Sequence, residues 1–184
     1  ARSGSIKCRM YGNCDSTLLG KSSSKRPRVF SISRSSNERN DSEENHLMLG
    51  TTLSAMLMYK EQYYIVHVGD SRIYELANTV TQLTNDQTFI AREIAAGRMT
   101  EEQAKTDPRR SVLLQCVGAS QIVEPEFTKG TIQRNAVYML CSDGFRHQIS
   151  NEEIMEKIGP AASTDEEKMK FGAIYLTELV KNRK

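Results

Sequence analysis

From Thr52 onward the chain alternates short apolar runs with polar turns of two or three residues, a rhythm that suits adjacent antiparallel strands and little else. Thr52–Tyr59 is apolar enough for a buried strand, and Lys60-Glu61-Gln62 makes a polar turn. Tyr63–Val68 is rich in aromatic and β-branched residues, which fit a pleated, half-buried surface. Gly69-Asp70-Ser71 ends that run, Arg72–Leu76 resumes extended structure, Ala77-Asn78 turns, and Val80–Leu83 completes a meander. The expectation is an antiparallel sheet built from these neighbours.

Helical spacing replaces alternation further along. Phe89, Ile90, Ile94 and Ala95 fall on one helical face within Thr88–Ala96, and Gly97 closes the segment. Thr100-Glu101-Glu102-Gln103 has the form of a capping box, and Asp107-Pro108 breaks the helix it starts. Val137–Cys141 is a short apolar strand ending at Ser142-Asp143-Gly144. Ser150 opens a helix to Ile158, and Thr164 or Asp165 opens a longer one to about Lys181. Strands followed by helices make the fold class α+β.

Residues 1–46 differ in kind. They are Ser-rich and carry nine Lys or Arg before Asn40 against Asp15 and Glu38. A basic leader of this sort is expected to be solvated and poorly ordered rather than to bind RNA or anionic lipid. Over all 184 residues the net charge is only +2, which does not point to nucleic acid as a partner. No apolar run approaches the roughly 18–20 residues needed to cross a bilayer, so no membrane partner is expected. The four cysteines lack the spacing of a zinc site or a disulfide framework. They read as free thiols, and a reducing cytoplasm is the expected compartment.

Three acidic residues stand at strand ends or before a helix. Asp143 follows the apolar Tyr138-Met139-Leu140-Cys141 run, at a sheet rim where a carboxylate could bind Mg²⁺ or Mn²⁺; a plain Asp-Gly turn is the alternative. Asp70 could bond turn amides or pair with Arg72, and Asp86 could cap the helix that follows it. Arg109 and Arg110 sit together after the Asp107-Pro108 break, and a guanidinium fork suits phosphate. Solvated surface arginines are the alternative there.

Taken in order, Gly50-Thr51-Thr52-Leu53, Gly69-Asp70-Ser71-Arg72-Ile73-Tyr74, Leu83-Thr84-Asn85-Asp86 and Cys141-Ser142-Asp143-Gly144-Phe145 resemble the protein phosphatase 2C family, metal-dependent serine/threonine protein phosphatases. Ala95-Ala96-Gly97-Arg98-Met99-Thr100 and Pro108-Arg109-Arg110-Ser111-Val112-Leu113 resemble that family's flap in its bacterial type. The resemblance covers residues 47–184, with the flap at about 87–118. It implies a β-sandwich flanked by helices and a binuclear Mn²⁺ or Mg²⁺ centre. It also implies hydrolysis of phosphoserine and phosphothreonine by a metal-activated water. By the same resemblance Asp143 and Asp86 are the metal ligands, and Gly69, Asp70, Ser71 and Arg72 form a structural motif.

The family's opening Arg-x-x-Asn-Glu-Asp and Asp-Gly-Met-Gly-Gly segments are not intact here, and its closing Asp-Asn strand is absent. Arg34-Ser35-Ser36-Asn37-Glu38 is a partial echo at the wrong spacing. The domain is therefore expected to be partial, its metal centre incomplete, and the chain a fragment with impaired activity. A non-catalytic remnant that binds a phosphoprotein or a cognate serine/threonine kinase is the alternative.

Overall fold

The computed structural model describes residues 50–183. The basic leader, Cys8, Cys14 and the Arg34–Glu38 echo lie outside the described residues. In chain order the elements are β1 (Leu53–Tyr59), β2 (Gln62–Val68), β3 (Arg72–Leu76), β4 (Val80–Gln82), α1 (Phe89–Ala95), α2 (Glu101–Thr106), β5 (Glu126–Thr131), β6 (Val137–Cys141), α3 (Asp143–Arg146), α4 (Asn151–Ile158) and α5 (Glu166–Asn182).

The expected meander divides between two sheets. One has the order β1-β2-β5 and the other β4-β3-β6, with every pairing antiparallel. β1 and β2 form a hairpin, with Lys60 at φ 57° in its tight turn. The break comes at Gly69-Asp70-Ser71, where Gly69 has φ +107° and a Cβ would meet Thr52 Cγ2 at 2.4 Å. Only glycine lets the chain turn there against β1 and start a strand in the other sheet.

Alternation along the strands then builds two cores. Tyr63, Ile65 and Ile73 are buried between the sheets, with Met56, Met58, Tyr138 and Leu140 packed around them. From the opposite face of the second sheet, Tyr74 and Leu76 bury against Ile149, Ile154, Ile158, Leu176 and Val180. The β4-β3-β6 sheet is thus covered on both faces, by the other sheet and by α4 and α5. Gly172 permits the close approach of those two helices, since a Cβ on it would fall 2.1 Å from the Lys157 carbonyl oxygen. The outer face of the first sheet exposes Leu57, Tyr59, Tyr64 and Phe127.

The helix starts follow their capping residues. Thr100 and Ser150 each make both bonds of a capping box, and Asp165 accepts from the Lys168 amide to open α5. Cys116 and Cys141 are free and half-buried, and burial pushes the Cys141 thiol up to about 11.

Candidate active site

Two strand ends bring the first pair of acids together. β3 and β6 run antiparallel with Arg72 opposite Cys141. Two residues before Arg72 is Asp70, and two after Cys141 is Asp143, so both carboxylates arrive at the same end of the sheet. Burial raises the Asp70 carboxyl above the ordinary carboxylate range, and repulsion from Asp143 raises it further, although Arg146 pulls the other way. Asp143 is exposed and opens the short α3, its Oδ1 accepting from the Gly144 amide at 2.7 Å.

Asp86 occupies a different role. The Arg72 guanidinium donates to both of its oxygens, Nε to Oδ1 at 2.8 Å and Nη2 to Oδ2 at 2.6 Å. Arg72 also donates to the Tyr74 hydroxyl at 3.0 Å. Although burial works against its charge, the bonds to Asp86 hold the Arg72 guanidinium protonated beyond its ordinary range. The Arg72 fork thus takes one lone pair on each oxygen of a carboxylate that has about four in all. In the side-chain arrangement Asp86 is the carboxylate paired with Arg72, and Asp70 stands at the sheet end that also carries Asp143.

The loop carrying Asp86 is fastened from below. His67, fully buried in β2, bridges Ser54 Oγ at 2.8 Å through Nδ1 and the Asn85 carbonyl at 3.0 Å through Nε2. A carbonyl only accepts, so Nε2 carries the proton. Gln87 and Gly69 exchange bonds at 2.8 Å, the Gln87 amide to the Gly69 carbonyl and the Gly69 amide to Gln87 Oε1. Thr52 and Ser71 hydroxyls meet at 2.9 Å. The Gly-Asp-Ser-Arg turn and the Asp86 loop are therefore one braced unit.

Arg146 is the residue that sequence reasoning missed. Its Nη2 lies 3.6 Å from Asp70 Oδ2 and 3.4 Å from Asp86 Oδ2. Next to it, burial and the neighbouring Arg146 charge lower the His147 imidazole below its ordinary value. The only signal was position: both residues follow directly on the Ser142-Asp143-Gly144 turn.

The two flap arginines part company. Arg109 donates to Asp107 with Nε at 3.0 Å and Nη2 at 2.8 Å, and its guanidinium lies 4.3 Å from the Phe89 ring centre. Those hydrogen bonds hold the Asp107 carboxyl down at about 2. Arg110 instead lines a cavity of about 560 Å³ between the flap helices and α3, together with Arg72, Asp86, Arg146 and His147. Its guanidinium has no ion-pair partner among the described residues. The flap itself is tied to the sheets by short bridges, Thr88 to Leu113 and Thr51 to Val117.

The family described as protein phosphatase 2C matches residues 9–172, most of the sequence. The chain belongs to that family. The match begins upstream of Leu47, inside the segment read as a leader. Among its relatives, the serine/threonine protein phosphatase PstP of Mycobacterium tuberculosis is 38% identical over 111 residues, which cover 60% of this chain and 21% of that protein. The chain thus spans about a fifth of that relative's length. A crystal structure of the M. tuberculosis phosphatase PstP/Ppp matches with a TM-score of 0.69 and 31% identity over 80% of this chain and 60% of that one. A second structure, the PstP catalytic domain in complex with two manganese ions, matches at 0.65 and 30% identity over 80% and 59%. The α+β protein phosphatase 2C fold is therefore established for the described residues.

Whether these residues suit a divalent cation depends on their donors. Asp70 and Asp143 offer carboxylate oxygens, the donors Mg²⁺ and Mn²⁺ prefer, and a cation between them would relieve their repulsion. Among the described residues no group of three or more His, Cys, Asp or Glu side chains is placed to hold a metal ion, so these residues alone do not make up a metal centre.

Proposed function

We propose that this chain acts in the hydrolysis of phosphoserine and phosphothreonine in proteins, as a bacterial-type, metal-dependent member of its family. The observation that carries the reading is the apposition of Asp70 and Asp143 at the β3–β6 end, beside a cavity lined by arginines. Asp143 and Asp70 would hold the cation; Asp86 would hold Arg72 and keep that wall of the cavity in place. When bound, Mn²⁺ or Mg²⁺ supplies Lewis acidity toward water and phosphoryl oxygens. Arg110 would orient the substrate phosphate by donating from its planar fork. The partners implied are phosphorylated proteins and the kinase that modifies them, in the cytoplasm. Among the described residues no helix is long and apolar enough to cross a membrane.

With two carboxylates from the described residues, the cation is held weakly and turnover is slow. A second reading, a phosphatase-like domain that holds a phosphoprotein or kinase without cleaving it, is favoured by one observation, the Arg146 guanidinium beside the acids. Phosphate release from a phosphothreonine peptide in Mn²⁺ decides between them. Slow release that is lost in Asp143→Asn supports hydrolysis. Tight peptide binding with no release above the Asp143→Asn background supports the holding role.

A further inference from the structure

The cavity between the flap and α3 has two unlike sides. One carries Arg110, Arg146 and His147, and Arg72 adds a guanidinium already matched by Asp86. The other comes from α1, of whose residues only Ile90, Ala91 and Ile94 line the cavity, at helical spacing on one face. The charged residues of α1 are engaged elsewhere. Glu93 accepts from the Arg98 guanidinium at 2.7 and 2.8 Å, and the Arg92 guanidinium lies 5.3 Å from the Phe89 ring centre. Ala104 of α2 continues the apolar surface, with Glu101 and Lys105 exposed beside it. Ile90 is buried, but Ala91, Ile94 and Ala104 are only half-buried, so apolar surface is left open to the cavity. The arginines account for a phosphate; they do not account for this second side.

We infer that the cavity reads a second feature of its substrate, an aliphatic side chain two positions from the phosphorylated residue. That side chain packs on Ala91, Ile94 and Ala104 while Arg110 holds the phosphate, and Ile94, the largest of the three, sets the preference. Residues two apart point to the same face of an extended peptide, and the one between them points away. A cube of about 560 Å³ is roughly 8 Å on an edge, and an extended peptide advances about 6.6–7.2 Å over two residues. The space therefore takes a phosphorylated residue and its second neighbour together. A polar side chain in the second place loses water without gaining a partner from α1. This selectivity rests on the phosphate position at Arg110 proposed above and is independent of any cation.

Fluorescein-labelled phosphothreonine peptides are the probe, titrated with the full chain in chelator so that anisotropy reads binding without cleavage. The peptides carry leucine or asparagine two positions before and two after the phosphothreonine, and each is also made without phosphate. The leucine phosphopeptide is expected to bind about tenfold more tightly than the asparagine one, the worth of partly burying one leucine side chain. Added salt should weaken both and leave their ratio standing, because apolar burial is not screened. Ile94→Asn, which makes the apolar side polar, should bind the two phosphopeptides alike. Ala104→Leu, which fills the space instead, should do the same and carries the test if circular dichroism shows that Ile94→Asn does not fold. Equal binding of the two phosphopeptides by the wild type overturns the inference, as does a full leucine preference that survives in the folded variant. Arg110→Ala separates this from the phosphate reading. If it changes nothing and phosphorylated and unphosphorylated peptides bind alike, the phosphate reading fails and the inference with it. If it weakens both phosphopeptides equally while the wild type shows no leucine preference, only the apolar subsite fails.

Discussion

Replacing Arg72 with methionine keeps its apolar stem and deletes the fork that holds Asp86. The pair is mostly withdrawn from water, with side-chain exposures of 24% and 11%. Breaking a fully buried pair by removing one partner costs about 3–5 kcal/mol, whereas exposed pairs are worth about 0.2–1 kcal/mol. Asp86 would not be left alone, since Arg146 lies at 3.4 Å and Gln82 Nε2 at 3.3 Å. The Tyr74 hydroxyl also loses a donor at 3.0 Å. Between those limits the expected loss is about 2–3 kcal/mol, a fall in Tm of roughly 10 °C for a domain of this size. Urea unfolding of wild type, Arg72→Met, Asp86→Asn and the double variant would give the coupling directly. A value of about 2 kcal/mol is expected for residues in one hydrogen-bonded network. Coupling below about 0.5 kcal/mol would place the pair with exposed surface pairs and refute a bracing role for Asp86.

Two further outcomes follow from the same geometry. The Asp70 carboxyl is raised in the folded state, so the folded protein binds its proton more tightly than the unfolded chain does, and stability falls as pH climbs from the unfolded to the folded value. In chelator, Asp70→Asn should therefore unfold at the same or higher temperature than the wild type at pH 7, with the gap closing below about pH 4, the ordinary aspartate value; a variant less stable at pH 7 would contradict this. In the flap, Arg110→Ala should weaken phosphopeptide binding by about tenfold, the worth of one charged hydrogen bond, while Arg109→Ala leaves affinity unchanged because that side chain is committed to Asp107 and Phe89. Fluorescence anisotropy reads both, and equal losses from the two variants would count against the distinction.

What the sequence disclosed tracks how local the physics is. The β1–β2 hairpin, the capped starts of α2 and α4, and β6 were legible because a turn, a capping box or an apolar run sufficient to specify each lies within a few residues. β5 carried no such signal: Glu126–Thr131 holds one aromatic, one glycine and four polar residues, and it is a strand because β2 offers it an edge. The division of the meander into two sheets turned on the single glycine at 69, which reads as an ordinary turn residue. The acids divide the same way. The place of Asp143 just past a strand end was legible from the apolar run before it. The roles of Asp70 and Asp86 depend on the Arg72–Cys141 register and on which carboxylate Arg72 clasps, and both are long-range facts. Arg146 was invisible for that reason, since its meaning comes wholly from acids on two other loops.

Under the proposed function Asp70, rather than Asp86, would join Asp143 in holding the cation. Titration of Mn²⁺ against wild type, Asp70→Asn and Asp86→Asn tests it most directly, with each variant's fold checked by circular dichroism. Loss of Asp70 should weaken Mn²⁺ binding by at least about tenfold, because affinity for hard cations follows the number of anionic oxygen donors. Loss of Asp86 should change it by less than about threefold while lowering Tm, since its charge is already matched by Arg72. The reverse order, with Asp86→Asn abolishing Mn²⁺ binding and Asp70→Asn leaving it intact, would contradict the account.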